Sequence, residues 1–178
     1  MITIAECTEL PSSFDSLFEQ SLPFLEAGTF DWRYLNLDNS SDNNLKKEKL
    51  REKYQEHIET SNCKVIYWKK DEHPIFIVAG CLLHDPTYIM FNYALYGADK
   101  EGSKSWLHDS DYINATKNFF KDTLGLSGYR ITCNKDSSLY NHHMNRKNPY
   151  NCTVSLETTL SPPSASDRTI AIIKHTYT

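Results

Sequence analysis

The 178-residue sequence lacks the patterns of membrane, secreted and nucleic-acid-binding proteins. No apolar run approaches the roughly 20 residues that a transmembrane helix needs. Glu6 interrupts the first apolar residues, so we expect no signal peptide. The net charge of −4 and the pI near 6.0 give no excess of basic side chains that would attract nucleic acid or anionic lipid. We therefore expect a cytoplasmic protein that binds neither nucleic acid nor membrane.

Short metal-binding motifs are also missing. The sequence has no Cys-x-x-Cys pair and no His-x-x-x-His pair. The neighbours His142 and His143 would point about 100° apart on a helix, so one residue pair would rarely chelate an ion. Other histidines, such as His73, His84 and His108, are scattered. We expect no metal site.

The five cysteines, Cys7, Cys63, Cys81, Cys133 and Cys152, are widely spaced, and the last four of them fall in or beside predicted strands. We expect reduced, mostly buried thiols. A nucleophilic Cys81 or Cys133 beside a histidine is disfavoured, because a thiol in the middle of a strand is normally packed and inert. A serine hydrolase is disfavoured too, since no Gly-x-Ser-x-Gly elbow occurs.

What the sequence does contain predicts one domain over residues 1–178, long enough to bury a core without staples. Apolar residues at helical spacing predict helices at 12–26, 46–59 and 111–124, with a shorter helix at 137–146. Ser12 with Asp15 resembles a capping box, and the charged residues of the second helix are expected on its solvent face. The aromatic segment 30–35 either packs on the core or lines a pocket.

Apolar and alternating runs predict an edge strand at 1–8 and further strands at 63–68, 75–83, 87–96, 128–133, 152–159 and 168–177. A loop covers 97–110, and 161–166 is a polar turn. Ile75, Ile77, Ala79 and Cys81 are expected on one face of a strand that is buried on both faces. Because a helix separates 87–96 from 128–133, these two strands should be parallel through a right-handed crossover, with all other neighbours antiparallel. The predicted class is α/β (α+β), with a mixed, mostly antiparallel sheet of six to seven strands and helices on both faces.

This order of elements resembles the GNAT N-acetyltransferase superfamily over nearly the whole chain. In that family the fourth and fifth strands splay apart, and acyl-CoA lies in the gap. The resemblance makes 87–96 the fourth strand and 128–133 the fifth, and it places Asn145 where a glycine commonly ends the following helix. It implies that Asn92 or Tyr93 guides a water or the amine. The family's usual tyrosine acid falls at Asn141, with Tyr140 one residue before.

The family's pyrophosphate loop reads Gln or Arg, two residues, Gly, one residue, Gly or Ala, and this run is absent here. The corresponding segment is residues 97–105, whose acids Asp99 and Glu101 would repel a pyrophosphate. The residues that the resemblance nevertheless assigns to the coenzyme are Leu95, Gly97, Gly102, Ser103, Lys104 and Ser105. A P-loop is disfavoured, because Ser103 displaces Lys104 and Ser105 by one position and the loop lies too far from the helix start.

Two functions from different classes follow from the resemblance. One is an N-acyltransferase that uses acyl-CoA, acetyl-CoA above all, to acylate an unidentified small-molecule or protein amine. The other is a non-catalytic GNAT-like scaffold or binding protein, of the kind some phages encode, that has lost its coenzyme. The terminal strands could pair across a homodimer.

Overall fold

The computed structural model describes residues 1–25, 30, 32–82, 85–144, 152–160 and 169–178. Its α-helices are α1 (Phe14–Phe24), α2 (Asn43–Glu59), α3 (Ser110–Asn118) and α4 (Ser138–Met144). Its strands are β1 (Ile2–Glu6), β2 (Cys63–Lys70), β3 (His73–Cys81), β4 (Tyr88–Tyr96), β5 (Gly128–Asn134), β6 (Cys152–Leu160) and β7 (Ile170–Tyr177). Short 3₁₀ turns cover Trp32–Leu35 and Ser105–His108, and a π-helical turn, Phe119–Thr123, extends α3.

The seven strands form one sheet in the order β1-β2-β3-β4-β5-β7-β6. Its one parallel pair among the described strands is β4 with β5, and the others are antiparallel. The predicted six- to seven-strand mixed sheet and the predicted parallel pairing of its fourth and fifth strands are therefore confirmed. The crossover between β4 and β5 contains α3 and the π-helical turn that extends it. Gly125 follows this turn with a positive φ of +67°, which glycine accepts readily.

Helices cover both faces of the sheet, as expected. On one face, α1 and α2 pack on Val65, Ile77 and Ala79 and bury Phe14, Leu17, Phe18 and Tyr54. On the other face, Trp106 and the region after α3 pack on Trp68, Phe76 and Phe91, and α4 lies over β5, β6 and β7. Residues 75–81 are all buried, which confirms the prediction that both faces of β3 are covered.

Ile75 is an exception to the predicted alternation of β3. The register of β2 with β3 shifts between Trp68 and Lys69, so that Lys69 pairs with Pro74 and Trp68 pairs with Phe76. Ile75 lies in this irregularity and packs with the cluster on the face opposite Ile77. The prediction that it shares a face with Ile77 is wrong, because a bulge breaks the two-residue period of a strand.

Two predictions about the helices are also wrong. The capping box does not form: Ser13, not Ser12, precedes α1, and its hydroxyl lies 2.6 Å from the Tyr67 hydroxyl instead of capping the helix. Lys46 does not lie on a solvated face. It is fully buried, with Nζ 2.8 Å from the Asn39 carbonyl and 5.0 Å from the centre of the Trp32 ring. A carbonyl acceptor and an aromatic face stabilise an ammonium that helical spacing alone would place in water.

The expectation of reduced cysteines is wrong for Cys63 and Cys81, which form a disulfide. They lie directly opposite each other on β2 and β3, with Cα atoms 4.0 Å apart. Cys7 and Cys133 are free thiols. Within the residues that the structure describes, no helix combines the length and apolar character needed to cross a bilayer. The turn 161–166, Asn145 and His84 lie outside the described residues.

Candidate functional site

The candidate site lies where β4 and β5 separate. The two strands pair from Tyr88–Gly128 to Phe91–Ile131, and their ladder ends there. Beyond that point a narrow cavity of about 50 Å³ lies between Phe91, Ala94 and Tyr96 of β4, Ile131 of β5 and Leu139 of α4. A parallel pair that opens in this way exposes backbone groups of both strands to a ligand.

A larger cleft of about 420 Å³ lies beside this opening. Phe30, Asn92 and Thr132 line both the cleft and the cavity, so the two are adjacent. The other walls come from Tyr34 and from α2, which presents one turn of polar side chains: Lys53, Glu56 and His57. The aromatic segment 30–35 both packs on the core and lines a pocket. Trp32 is buried in the core, while Phe30 and Tyr34 line the cleft.

His57 has the best-defined hydrogen bonds in the cleft. Its Nδ1 lies 2.6 Å from the Lys53 carbonyl oxygen, one helical turn earlier, and its Nε2 lies 3.1 Å from Nδ2 of Asn92. Because a carbonyl oxygen can only accept, Nδ1 carries the proton and Nε2 carries the lone pair. Nε2 thus accepts a hydrogen bond from the Asn92 amide, and the amide nitrogen also lies 3.4 Å from Sγ of Cys81.

Two other groups in the cleft are held in their neutral forms. Burial raises the pKa of the Tyr93 hydroxyl above its ordinary value. Burial also raises the pKa of the Cys133 thiol, to about 11. Because a thiol with a high pKa is a poor nucleophile at neutral pH, Cys133 is a wall of the cleft and not a nucleophile. This leaves His57 and the exposed carboxylate of Glu56 as the groups that can take a proton.

The loop after β4 is closed on itself around the carboxylate of Asp99. Asp99 is only 8% exposed, and its Oδ1 accepts hydrogen bonds from the backbone N–H groups of Glu101 at 3.0 Å and Ser103 at 2.9 Å. These bonds, the one from Ser103 foremost, lower the pKa of the Asp99 carboxyl. Lys70 adds an ammonium at 3.8 Å.

Five more backbone N–H groups of this loop have partners as well. The N–H of Gly97 bonds to the Ile75 carbonyl, that of Ala98 to Gln20, that of Asp99 to the Ser103 carbonyl, that of Gly102 to the Asp99 carbonyl and that of Ser105 to the Ser103 hydroxyl. A loop that binds an anion must offer free N–H groups. These residues are arranged for an anion, but the anion that they hold is Asp99.

Lys104 is directed to helix α1. Its Nζ lies 3.0 Å from the Gln20 carbonyl oxygen and 3.9 Å from the centre of the Phe24 ring. Desolvation lowers the pKa of this ammonium to about 8. Near neutral pH it still carries most of its charge, and that charge is already engaged by a carbonyl dipole and an aromatic face.

The structure brings together some of the residues expected from the sequence and separates others. Asn92 and Tyr93 line the cleft. Tyr140 packs beside the sheet cluster of Phe91 and Ile131, outside the lining of the cleft and the cavity, whereas its neighbour Leu139 lines the cavity. Leu95 is 1% exposed and packs under α1 and α2.

His57, Glu56 and Lys53 were missed by the sequence analysis. The helical pattern had one usable signal, because His57 lies between Tyr54 and Ile58, whose apolar side chains recur at helical spacing. Its neighbour Asn92 is 35 residues away in sequence. No spacing rule joins such a pair, and the contact follows only from the packing of α2 across the sheet.

Comparison with known proteins supports the fold. No protein-family model matches the sequence, and the curated proteins gave no match. Solved structures do match over nearly the whole chain. A GNAT-family acetyltransferase from Streptococcus pneumoniae is 10% identical, with a TM-score of 0.55 and all of both chains covered. RimL, an alpha-N-protein acetyltransferase solved in complex with coenzyme A, is 11% identical, with a TM-score of 0.63 and 98% of this chain and 94% of that chain covered.

A spermidine N-acetyltransferase from Vibrio cholerae, solved in complex with CoA and spermine, is 10% identical, with a TM-score of 0.57 and 97% and 94% of the two chains covered. At these identities the likeness concerns architecture. The order of the described strands, the parallel pairing of β4 with β5 and the helices on both faces also match the arrangement expected from the sequence. The chain has a GNAT-like fold.

Proposed function

We propose that the protein is an N-acyltransferase that transfers an acyl group from acyl-CoA, most simply acetyl-CoA, to an amine bound in the 420 Å³ cleft. The observation that carries the proposal is the position of this cleft, which adjoins the opening between β4 and β5 and contains a histidine with a defined lone pair. A thioester in the opening and an amine in the cleft would meet beside Asn92 and Thr132, which border both spaces. Fold likeness alone does not give this function.

The cleft residues have complementary roles in this proposal. The exposed carboxylate of Glu56 pairs with the Lys53 ammonium, with Oε2 3.2 Å from Nζ, and exchanges this partner for the protonated amine. Nε2 of His57 then takes a proton from the amine and gives up the hydrogen bond that it accepts from the Asn92 amide. The free amine then attacks the thioester carbonyl carbon, so that an N–C bond forms and the C–S bond breaks. Asn92 and Tyr93 orient the amine. Tyr140 is proposed from the resemblance as the group that protonates the leaving thiolate. The nitrogen loses its second proton to water as the amide forms, and a proton from water restores Tyr140.

The assignment of residues 95–105 to the coenzyme depends on Asp99. The backbone of Leu95 and Gly97, the loop residues Gly102, Ser103 and Ser105, and the ammonium of Lys104 are proposed to contact the donor. They can reach a pyrophosphate only after the Asp99 carboxylate leaves the N–H groups of Glu101 and Ser103. Two anions cannot share these donors, because like charges in close contact repel strongly.

Removing this carboxylate should therefore strengthen coenzyme binding. In Asp99→Ala the two N–H groups are freed and one negative charge is lost, so we expect the Kd for acetyl-CoA to fall about tenfold or more, the effect of one charge-assisted hydrogen bond. Isothermal titration calorimetry measures this change. Glu101→Ala is the matched control, since it removes the same charge from the same loop but leaves the Asp99 bonds intact. Equal effects of the two variants would mean that net charge, and not the occupied donors, limits binding.

A second function is favoured by one observation, the self-filled loop. A protein that had lost its coenzyme would keep the fold and close its anion site with a side chain of its own, as Asp99 does here. In that case the cleft binds an amine ligand without chemistry. Such a protein is a non-catalytic member of the same architecture.

Calorimetric titration of the wild-type protein with acetyl-CoA separates the two functions. The acyltransferase requires binding at millimolar coenzyme or better, together with N-acetylated product when spermidine or a peptide with a free N-terminus is added. Mass spectrometry of the amine detects that product. Absence of heat and of product, in both the wild-type protein and Asp99→Ala, would contradict the enzymatic function and leave the binding protein.

A further inference from the structure

Three potential metal ligands meet behind the cleft. Sγ of Cys63, Sγ of Cys81 and a ring nitrogen of His57 all lie within 4.8 Å of one another. The cysteines come from opposite positions on β2 and β3, and His57 comes from α2, which packs over these strands. Three consecutive elements thus bring a Cys₂His set together. Five residues separate His57 from Cys63 and 17 separate Cys63 from Cys81, and this spacing matches no short metal-binding motif.

The histidine of this set has the preferred form of a metal ligand. Metal-binding histidines usually donate their second ring N–H to a carbonyl or carboxylate, which fixes the tautomer and directs the lone pair to the metal. Nδ1 of His57 makes such a bond to the Lys53 carbonyl at 2.6 Å. The remaining nitrogen, Nε2, therefore carries its lone pair on the side where the Asn92 amide and the Cys81 sulfur lie.

We propose that the chain with its Cys63–Cys81 disulfide reduced binds one Zn²⁺ ion through the two sulfurs and Nε2 of His57. Two thiolates and an imidazole are a donor set that suits zinc. Tetrahedral zinc with Zn–S near 2.3 Å and Zn–N near 2.1 Å keeps its ligand atoms about 3.6 to 3.8 Å apart. The His57 nitrogen lies within 4.8 Å of both sulfurs, about an ångström beyond that spacing, and reduction of the disulfide lets the two bonded sulfurs separate to it.

A fourth position remains for water or a cleft ligand, because His57 lines the cleft and the protein supplies three ligands. The disulfide and the metal exclude each other, since bonded sulfurs cannot act as thiolates. A phosphine reductant converts the disulfide to two thiols and becomes a phosphine oxide, taking its oxygen and the two thiol protons from one water. Zinc then displaces the two thiol protons as it binds.

Metal binding would also occupy the lone pair of His57. The site would then stop this histidine from accepting a proton in the proposed acyl transfer. The metal proposal does not rest on that reaction, because binding is measured without any substrate.

Cobalt(II) is the probe for the site, since a thiolate-bound cobalt ion has a charge-transfer absorption that a cobalt ion bound only by nitrogen and oxygen lacks. The full-length protein is reduced with a phosphine, freed of reductant without air and titrated with Co²⁺. We expect one equivalent to produce the absorption in reduced protein and to be displaced by one equivalent of Zn²⁺. The untreated, disulfide-bonded protein should produce none.

Variants identify the ligands. Cys63→Ser and Cys81→Ser should each abolish or weaken the thiolate absorption and raise the Kd at least tenfold, while His57→Gln should raise the Kd with the absorption partly kept. Cys133→Ser, which changes a free thiol lining the same cleft, should bind as the wild-type protein does. Circular dichroism verifies that each variant is folded. The proposal is overturned if reduced wild-type protein shows no thiolate absorption at millimolar Co²⁺, if the oxidised protein binds equally, or if Cys133→Ser alone abolishes the absorption.

Discussion

Ile77→Asp should abolish the folded state. Ile77 is 0% exposed at the centre of β3, where it pairs with Tyr67 and Leu95 and packs under α1 and α2. A carboxylate at this position would be buried among apolar side chains, and an uncompensated buried charge costs several kcal/mol. A domain of this size is stable by only about 5–15 kcal/mol, and the change also removes an apolar side chain worth about 2 kcal/mol or more. Thermal denaturation followed by circular dichroism should show no cooperative transition at neutral pH.

Leu156→Asp is the matched control, because it makes the same kind of change on an edge strand. Leu156 lies in β6 and is 38% exposed, so its aspartate stays hydrated. We expect a loss of about 1 kcal/mol or less and a small shift in Tm. An Ile77→Asp protein that melts at the wild-type temperature would contradict the placement of β3 at the centre of the core.

Much of this architecture was predictable, because its signals are local. The apolar run of β3, the polar loop after β4 and the helical spacing after Ser110 each extend over a few residues, and short connections constrain neighbouring strands to be antiparallel. The parallel pairing of β4 with β5 followed from the helix between these two strands. The predictions that failed concern features that have no local sequence signal. Lys46 is buried because its ammonium lies over the Trp32 ring, a contact that helical spacing does not predict. Ile75 lies on the opposite face from Ile77 because of a bulge, which the alternation of apolar residues does not predict either.

The site was less predictable than the fold. Asn92 and Tyr93 were proposed as site residues from their place on the fourth strand, and the structure puts both in the cleft. The state of the loop was not predictable. Asp99 was expected only to repel a phosphate, whereas it satisfies the donors that a phosphate would need. An acid in a loop has the same sequence signature in both cases, and only the folded backbone distinguishes them.

His57→Gln should reduce acyl transfer more than any other single change in the cleft. Glutamine keeps a polar side chain of similar length, but it cannot accept a proton near neutral pH. General-base catalysis contributes about 10²–10⁴-fold to rate, so we expect kcat with acetyl-CoA and an amine to fall within that range while the KM for the coenzyme changes little. His108→Gln is the control, since His108 is exposed and contacts His142 outside the cleft.

The pH dependence separates a lost base from a distorted cleft. Without His57, the reaction with spermidine depends on amine that is already deprotonated in solution, and that fraction rises about tenfold per pH unit below an alkylamine pKa near 10. The rate of His57→Gln should therefore rise by nearly tenfold per pH unit between pH 7 and 9 and approach the wild-type rate. The wild-type rate should climb less steeply, because His57 removes the proton from the bound ammonium. Measurements use the oxidised protein with a chelator, so that no metal occupies the lone pair. Parallel pH profiles for the two proteins would show that His57 positions the amine and does not take its proton.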